Sequence, residues 1–84
     1  MRHLTVSSPA QYRIIIRGSL DENWSSRVGM HVSVNHDDNH YPVTILTGEV
    51  LDQAMLLGVL NYMYDLGMPI VKVEWMDADG MKSV

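Results

Sequence analysis

The stretch from Asp52 to Gly67 constrains the fold of this 84-residue chain most, because no other long segment has helical periodicity. Asp52 is a natural N-cap residue, Gly67 suits the left-handed position that ends a helix, and Pro69 forbids its continuation. The apolar residues that recur on one side form a stripe wide enough to cover a sheet. They are Leu56, Val59, Leu60, Met63 and Leu66. The sequence therefore predicts one amphipathic helix here.

Segments with the alternation or the β-branched composition of strands lie before and after this helix. The four predicted strands are 11–18, 30–35, 42–47 and 70–76. Between the first two, Asp21 or Ser19 can cap a short helix that holds about two turns. The connector 36–40 is short and rich in turn-forming residues, so the second and third strands are expected to form a hairpin.

The resulting order of elements indicates an α+β fold. It runs strand, short helix, strand, strand, long helix, strand. It is typical of a ferredoxin-like βαββαβ sandwich, in which one long and one short helix cover one face of a four-stranded antiparallel sheet. The alternative is a three-stranded β-meander followed by a helix and a strand. It gains weight because 19–29 is barely long enough for a crossover, which needs about a dozen residues. Either way, the chain is expected to be one domain, with 1–10 as an N-terminal arm and 77–84 as a C-terminal tail.

Alternation assigns the strand residues to the two faces of the predicted sheet. The residues expected to meet the helices are Tyr12, Ile14, Ile16, Val32, Val34, Val43, Ile45, Val71, Val73 and Trp75. The residues expected on the opposite face are Arg13, Ile15, Arg17, His31, Ser33, Asn35, Thr44, Leu46, Lys72 and Glu74. Because this second face would be partly apolar, we expect that something covers it.

The composition limits the classes of function that the chain can have. It contains no cysteine, so disulfides and thiolate metal sites are excluded. Its formal net charge of −4 argues against a nucleic-acid or anionic-membrane surface. No apolar run approaches the roughly 20 residues of a membrane span, and the N-terminus lacks the apolar core of a signal peptide. A cytoplasmic location is therefore expected, with neither nucleic acid nor membrane as a partner.

Basic residues on the opposite sheet face form a candidate site for a small anionic ligand. The candidates are Arg13, Arg17, His31 and Lys72. Arginine suits this role because its guanidinium can make two parallel hydrogen bonds to one carboxylate. The alternative is that these side chains are solvated and paired with Glu74 or with other carboxylates of the chain.

The loop His36-Asp37-Asp38-Asn39-His40 is a second candidate site, because its imidazoles and carboxylates could bind a divalent metal. However, Asp and Asn in such loops commonly form turns by bonding to their own backbone. A metal site also needs supporting contacts that fix its ligands, and a hairpin tip offers few. We therefore expect no metal site here and no cofactor.

Large apolar groups beyond those needed for one core indicate a partner chain. A helix that covers a sheet does not ordinarily carry four more such residues outside its apolar stripe, and the opposite sheet face adds two. The candidate interface residues are Ile15, Leu46, Met55, Leu57, Tyr62 and Tyr64. A core as small as this one commonly needs support from a partner.

Two blocks of the sequence resemble a group of small uncharacterised bacterial proteins that share an RG-x-LD…WS start and an LTG…DQA…DLG-x-P helix block. In this chain the blocks are RGSLDENWS at 17–25, and LTG at 46–48 with DQA at 52–54 and DLGMP at 65–69. The similarity covers about residues 12–76. It implies a bacterial stand-alone domain and brings no activity, cofactor or catalytic residue. Glu49 departs from the pattern, because such proteins often carry proline there, and this leaves the helix start less fixed.

Catalysis has little support in the sequence. No residue pair identifies itself as an acid and a base, and neither a Ser-His-Asp grouping nor a glycine-rich phosphate loop follows from the spacing. The leading hypothesis is a non-enzymatic oligomerisation or protein-interaction module, either a homodimer or an accessory subunit of a larger assembly. The alternative is a small anionic-ligand-binding or sensor domain. A metal role for the loop 36–40 is a third, weaker hypothesis, and a cofactor-free dimeric enzyme stays open beside these.

Overall fold

Strands and helices of this chain form two layers, with both helical segments packed against one face of a single sheet. The computed structural model describes residues 10–77 and 80–83. The strands are β1 (Ala10–Arg17), β2 (His31–His36), β3 (Pro42–Val50), β4 (Ile70–Asp77) and β5 (Gly80–Ser83). The helical segments are a 3-10 turn (Glu22–Trp24) that runs into α1 (Ser25–Val28), and the long helix α2 (Gln53–Asp65). The protein is therefore α+β, as the sequence predicts.

The sheet is antiparallel throughout, and its strand order is β2-β3-β1-β4-β5. Strands β2 and β3 form the predicted hairpin. Strand β1 lies between β3 and β4, so it is separated from its sequence neighbour β2 by one strand. This places β1 and β3 inside the sheet and β2 at one edge.

Helix α2 begins and ends at the residues that the sequence indicates. The Asp52 carboxylate accepts a hydrogen bond from the Met55 N–H at 2.8 Å, which satisfies a backbone donor that the first turn leaves unpaired. At the other end Gly67 has φ +75°, and the Met68 N–H donates to the Met63 carbonyl at 3.0 Å. No helix in the described part of the chain is long and apolar enough to cross a membrane.

The core lies between this helical layer and the covered face of the sheet. Its members come from β1, β2, β3, the two helices and the loops beside α1. The buried apolar residues are Tyr12, Ile14, Ile16, Leu20, Val28, Met30, Val32, Leu46, Val50, Leu56, Val59 and Met63. Burial raises the pKa of the Tyr12 phenol above its usual value, because it disfavours the charged form.

Strand β3 has the opposite alternation to the one predicted. Leu46 lies opposite Ile14 and Thr44 lies opposite Ile16, so Leu46 and Thr44 are on the face that the helices cover. Both are fully buried. Their predicted place on the opposite face is therefore wrong, and Leu46 cannot be an interface residue. Two other β3 residues, Val43 and Ile45, were predicted to meet the helices. They lie on the uncovered face instead.

The contacts of Thr44 explain why β3 takes this phase. Its Oγ1 accepts a hydrogen bond from the Leu20 N–H at 2.9 Å and donates one to the Gly18 carbonyl at 2.7 Å. The buried hydroxyl thus satisfies two backbone groups of the loop that leaves β1. Because β3 has apolar side chains in both phases, the alternation alone does not select one of them.

Strand β4 contains an irregularity that also differs from the prediction. Ile15 lies opposite Lys72 and Ile16 lies opposite Ile70, so Val71 is an extra residue in β4. The Val71 side chain is 53% exposed, and its predicted contact with the helices is wrong. A bulge of this kind breaks the strict alternation on which the prediction depended.

The chain termini were predicted as an arm and a tail. Ala10 is the first residue of β1, and the rest of the predicted arm lies outside the described residues. The predicted tail contains β5, which pairs with β4 so that Trp75 lies opposite Lys82. The sheet therefore extends by one strand beyond the predicted four.

Candidate functional site

We call the side of the sheet that faces away from the helices the open sheet face. The register of the strands places alternate residues of β1, β2, β3 and β4 on it. They are Gln11, Arg13, Ile15, Arg17, His31, Ser33, Asn35, Val43, Ile45, Thr47, Glu49, Lys72, Glu74 and Met76. No helix in the described part of the chain covers this surface.

The centre of the open sheet face is apolar. Ile15 lies opposite Ile45 on the two adjoining inner strands, and both side chains are half-buried. Val43, two residues before Ile45, is also half-buried, and Met76 is 48% exposed on β4. Ile15 is thus where the sequence predicts it, and Ile45 takes the position that was assigned to Leu46.

Glu74 connects the cations on one side of this apolar centre. Its Oε1 accepts a hydrogen bond from Arg13 Nε at 2.9 Å and lies 2.8 Å from Arg13 Nη2, while its Oε2 lies 3.2 Å from Lys72 Nζ. The Glu74 side chain is only 8% exposed. The hydrogen bond from Arg13 holds the pKa of Glu74 below its usual value, against an opposing effect of burial and with further help from Lys72. Arg13 and Lys72 are therefore already engaged by a carboxylate of the same chain.

The other two residues of the predicted anion site lie farther away. Arg17 Nη1 is 3.8 Å from Asp37 Oδ2, which is a loose ion pair across the surface. His31 is exposed on the edge strand β2 and is separated from Arg13 by Thr47 of β3. Because two strand spacings separate His31 from Arg13, these residues lie about 10 Å apart across the sheet. All four residues share the open sheet face, but they do not converge on one point.

The loop 36–40 is organised by the backbone contacts of Asp37. Its Oδ1 accepts hydrogen bonds from the Asn39 N–H at 2.9 Å and the Tyr41 N–H at 3.0 Å. His40 has φ +66°, a left-handed conformation that closes the turn. Across residues 10–77 and 80–83, no three His, Asp or Glu side chains are placed to hold a metal ion.

The candidate interface residues on α2 divide into two pairs. Leu57 and Tyr64 lie seven residues apart on the outer side of the helix and are 57% and 78% exposed. Met55 and Tyr62 are half-buried and pack against the core. The first pair is free to meet a partner chain, whereas the second pair belongs to a different surface.

Met55 and Tyr62 line a groove of about 410 Å³ between α1 and α2, which we call the helix groove. The residues that line it are Ser26, Arg27, Val28, Gly29, Met55, Gly58, Val59 and Tyr62. Beyond it, the Tyr62 and Trp24 rings meet edge to face with centroids 5.3 Å apart, at an interplanar angle of 86°. The Arg27 guanidinium lies 5.0 Å from the centroid of the Trp24 ring.

Sequence reasoning did not identify the helix groove. Its residues come from two segments that are far apart in the chain, and no motif connects them. One signal could have indicated it, namely Gly58 in the interior of a predicted helix. Glycine there costs about 1 kcal/mol of stability relative to alanine, so it commonly has a packing or functional reason.

Residues 11–74 match the model of a family described as a domain of unknown function, DUF8691. The match spans most of the chain, so the chain belongs to this family. The expectation of an uncharacterised family is thereby confirmed, while the particular sequence blocks and the bacterial origin stay predictions. No curated protein and no solved structure matches the chain.

Proposed function

We propose that this protein is a non-enzymatic association module that forms a homodimer through the open sheet face. The observation that supports the proposal is the apolar pair Ile15 and Ile45 at the centre of a face that no described helix covers. Apolar surface of this kind, surrounded by polar residues, is typical of a protein–protein interface. A cytoplasmic location, expected from the composition, remains part of the proposal.

The size of the open sheet face supports a dimer. Strands in a sheet lie about 4.8 Å apart and rise about 3.3 Å per residue. The five strands of this sheet therefore cover a flat area on the order of 600 Å² before side-chain relief is added. A specific interface buries about 800 Å² on each partner. Side-chain relief adds to this flat area, so two copies that pack sheet against sheet over nearly the whole face reach a buried area of that order.

The ionic contacts of the open sheet face are also compatible with a covering partner. A charge that is buried without a partner costs several kcal/mol, about 3–5 in measured cases. Here Glu74 is already bonded to Arg13 and Lys72 within one chain. A second copy can cover this group without leaving the Glu74 carboxylate unpaired.

We also propose that the fold is a ferredoxin-like sandwich extended by β5. The support is the element order β1, α1, β2, β3, α2, β4, together with the position of β1 between β3 and β4 in an antiparallel sheet. In such a fold the two helices share one face, which leaves the other face available for association.

The alternative function, a small anionic ligand bound on the open sheet face, has less support. Glu74 engages Arg13 and Lys72, and Arg17 lies near Asp37. An anion would have to compete with these carboxylates in a chain that is acidic overall. The alternative predicts that Arg17→Ala abolishes thermal stabilisation by an anionic metabolite.

The homodimer can be tested by size-exclusion chromatography with light scattering at micromolar concentration. We expect the wild type to have the mass of a dimer and Ile45→Lys to have the mass of a monomer, because lysine would place a charge at the apolar centre of the interface. Leu57→Lys is the matched control, since it introduces the same charge on the outer side of α2.

Two results would overturn the proposal. A monomeric wild type at micromolar concentration would exclude the homodimer. Dissociation by Leu57→Lys with no effect of Ile45→Lys would move the interface from the open sheet face to α2, where Leu57 and Tyr64 are exposed.

A further inference from the structure

We infer that the helix groove binds a small monocarboxylate with a flat apolar or aromatic body. This site is separate from the proposed dimer interface, because α1 and α2 lie on the other side of the sheet. The inference depends on three features of the groove: the space that its glycines leave, the state of Arg27, and the apolar wall formed by Met55, Val59 and Tyr62.

The space in the helix groove comes from two glycines on facing segments. A Cβ atom placed on Gly58 would meet nothing within 4 Å, so this turn of α2 is open toward the groove. On the other side, Gly29 has φ +70°, and a Cβ there would meet only the flexible end of Met55, at 3.4 Å. The volume of about 410 Å³ lies within the range of pockets that hold small organic ligands, about 300–1,000 Å³.

Arg27 supplies a cation that the described part of the chain does not neutralise. Arg13, Arg17 and Lys72 each have a carboxylate partner, whereas Arg27 forms no ion pair with a carboxylate whose side chain the structure describes. Its guanidinium carbon lies over the Trp24 ring at 5.0 Å from the centroid, and a cation–π contact does not require the N–H groups as donors. A carboxylate can accept two parallel hydrogen bonds from these donors.

The charge around Arg27 favours a monoanion over a dianion. Asp21 lines the adjoining depression together with Trp24 and Arg27. A phosphate with two charges would meet the Asp21 carboxylate while it had a single arginine to balance it. The formal net charge of −4 adds to that repulsion, so the carboxylate of an organic acid fits better.

The remaining wall of the groove suits an apolar, flat ligand body. Met55 is a polarisable and adaptable side chain that makes favourable contacts with aromatic rings. Tyr62 is held edge-on against Trp24 at a centroid distance of 5.3 Å, so its ring is positioned before any ligand arrives. A single aromatic ring carrying an acidic side arm can therefore contact Met55, Val59 and Tyr62 while its carboxylate reaches Arg27.

The test is a titration of the full ¹⁵N-labelled chain with phenylacetate, indole-3-acetate and the neutral analogue phenylacetamide, followed by amide chemical shifts. We expect both carboxylates to shift the resonances of 26–29 and 55–62 at millimolar concentration or below. Phenylacetamide is expected to bind about tenfold more weakly, because it lacks the charge-assisted hydrogen bonds. Arg27→Gln should weaken phenylacetate binding by about the same factor.

Substitutions at Gly58 separate loss of the groove from loss of the fold. Gly58→Leu places a side chain into the groove and is expected to abolish the shifts, while the melting temperature stays the same or rises because leucine is the better helix former. Gly58→Ala is the matched control and is expected to keep most of the affinity. Ile45→Lys should keep the binding, so failure of the dimer proposal would not remove this site.

Several outcomes would overturn the inference. They are absence of shifts with either carboxylate at millimolar concentration, equal affinity for phenylacetate and phenylacetamide, and unchanged binding in Gly58→Leu. Shifts that map to Arg13, Arg17 and Lys72 would also overturn it, and they would favour the alternative anion site on the open sheet face.

Discussion

Leu46 and Ile45 are neighbours on β3, yet they lie in different surroundings because their side chains point to opposite faces of one sheet. Leu46 is fully buried under the helices, whereas Ile45 is half-buried on the open sheet face. The covered face is closed by the chain itself. The open sheet face has an apolar centre as well, but the described chain provides nothing to complete its burial.

The two faces also differ in the polar groups that they contain. On the covered face the hydroxyl of Thr44 bonds to two neutral backbone groups and is fully buried. On the open sheet face the charged Glu74 is held by Arg13 and Lys72, which are 43% and 49% exposed. A neutral hydroxyl suits a dry core because it has no charge to desolvate, whereas the ionic contacts lie where water still reaches the cations. The two faces thus satisfy their polar groups in different ways.

The largest expected effect comes from shortening the side chains of β3 on each face. Leu46→Ala should lower the free energy of unfolding by about 3 kcal/mol, because it removes buried methyl groups and leaves a cavity. Ile45→Ala should cost about 1 kcal/mol in the monomer, since its side chain is half-buried there. Urea unfolding of both variants at one protein concentration measures the difference. Equal losses would contradict the contrast between the two faces.

A smaller effect is expected from removing the hydroxyl on the covered face. Thr44→Val keeps the shape of the side chain but leaves the Leu20 N–H and the Gly18 carbonyl without their partner, so it should cost about 1–3 kcal/mol. Thr47→Val is the matched control on the open sheet face and should change stability by less than about 0.5 kcal/mol. Thermal or urea unfolding gives both values. If Thr44→Val left the free energy of unfolding unchanged, the Leu20 N–H and the Gly18 carbonyl would have found other hydrogen-bond partners.

The smallest expected effect concerns Glu74, because its cations are half-exposed and such ion pairs are weak. Its pKa is lowered in the folded state, so its contribution is present above the pKa of the unfolded state and is lost as the pH falls through the lower folded pKa. Glu74→Gln should therefore be less stable than the wild type at neutral pH, and the difference should shrink on acidification.

Urea midpoints of both proteins across this acidic range give the pH dependence of that difference. Glu49→Gln serves as the control, since Glu49 is an exposed carboxylate on the same face. A difference between Glu74→Gln and the wild type that stays constant with pH would show that the ion pairs of Glu74 are not its source.

Much of the fold could be predicted because its signals are local. The cap at Asp52, the left-handed Gly67 and the alternation of β1 and β2 each depend on a few adjacent residues, and the structure contains all of them. The candidate sites could be predicted less well. Arg13 and Lys72 were correctly placed on one face, but their bonds to Glu74 were only one of two alternatives. The helix groove was missed, because Arg27 and Gly58 have no shared pattern in the sequence.

The sequence by itself determined where α2 begins and ends, that the strands β1 to β4 exist, and that the chain is α+β. The tertiary structure decided the phase of β3, the extra residue at Val71 and the pairing of β5 with β4. The physical reason is the range of the interactions. Caps and alternation act between near neighbours, whereas Thr44 bonds to residues 24 and 26 positions away and Arg13 bonds to a residue 61 positions away. Since apolar residues occupy both phases of β3, only these distant contacts determine which face each one takes.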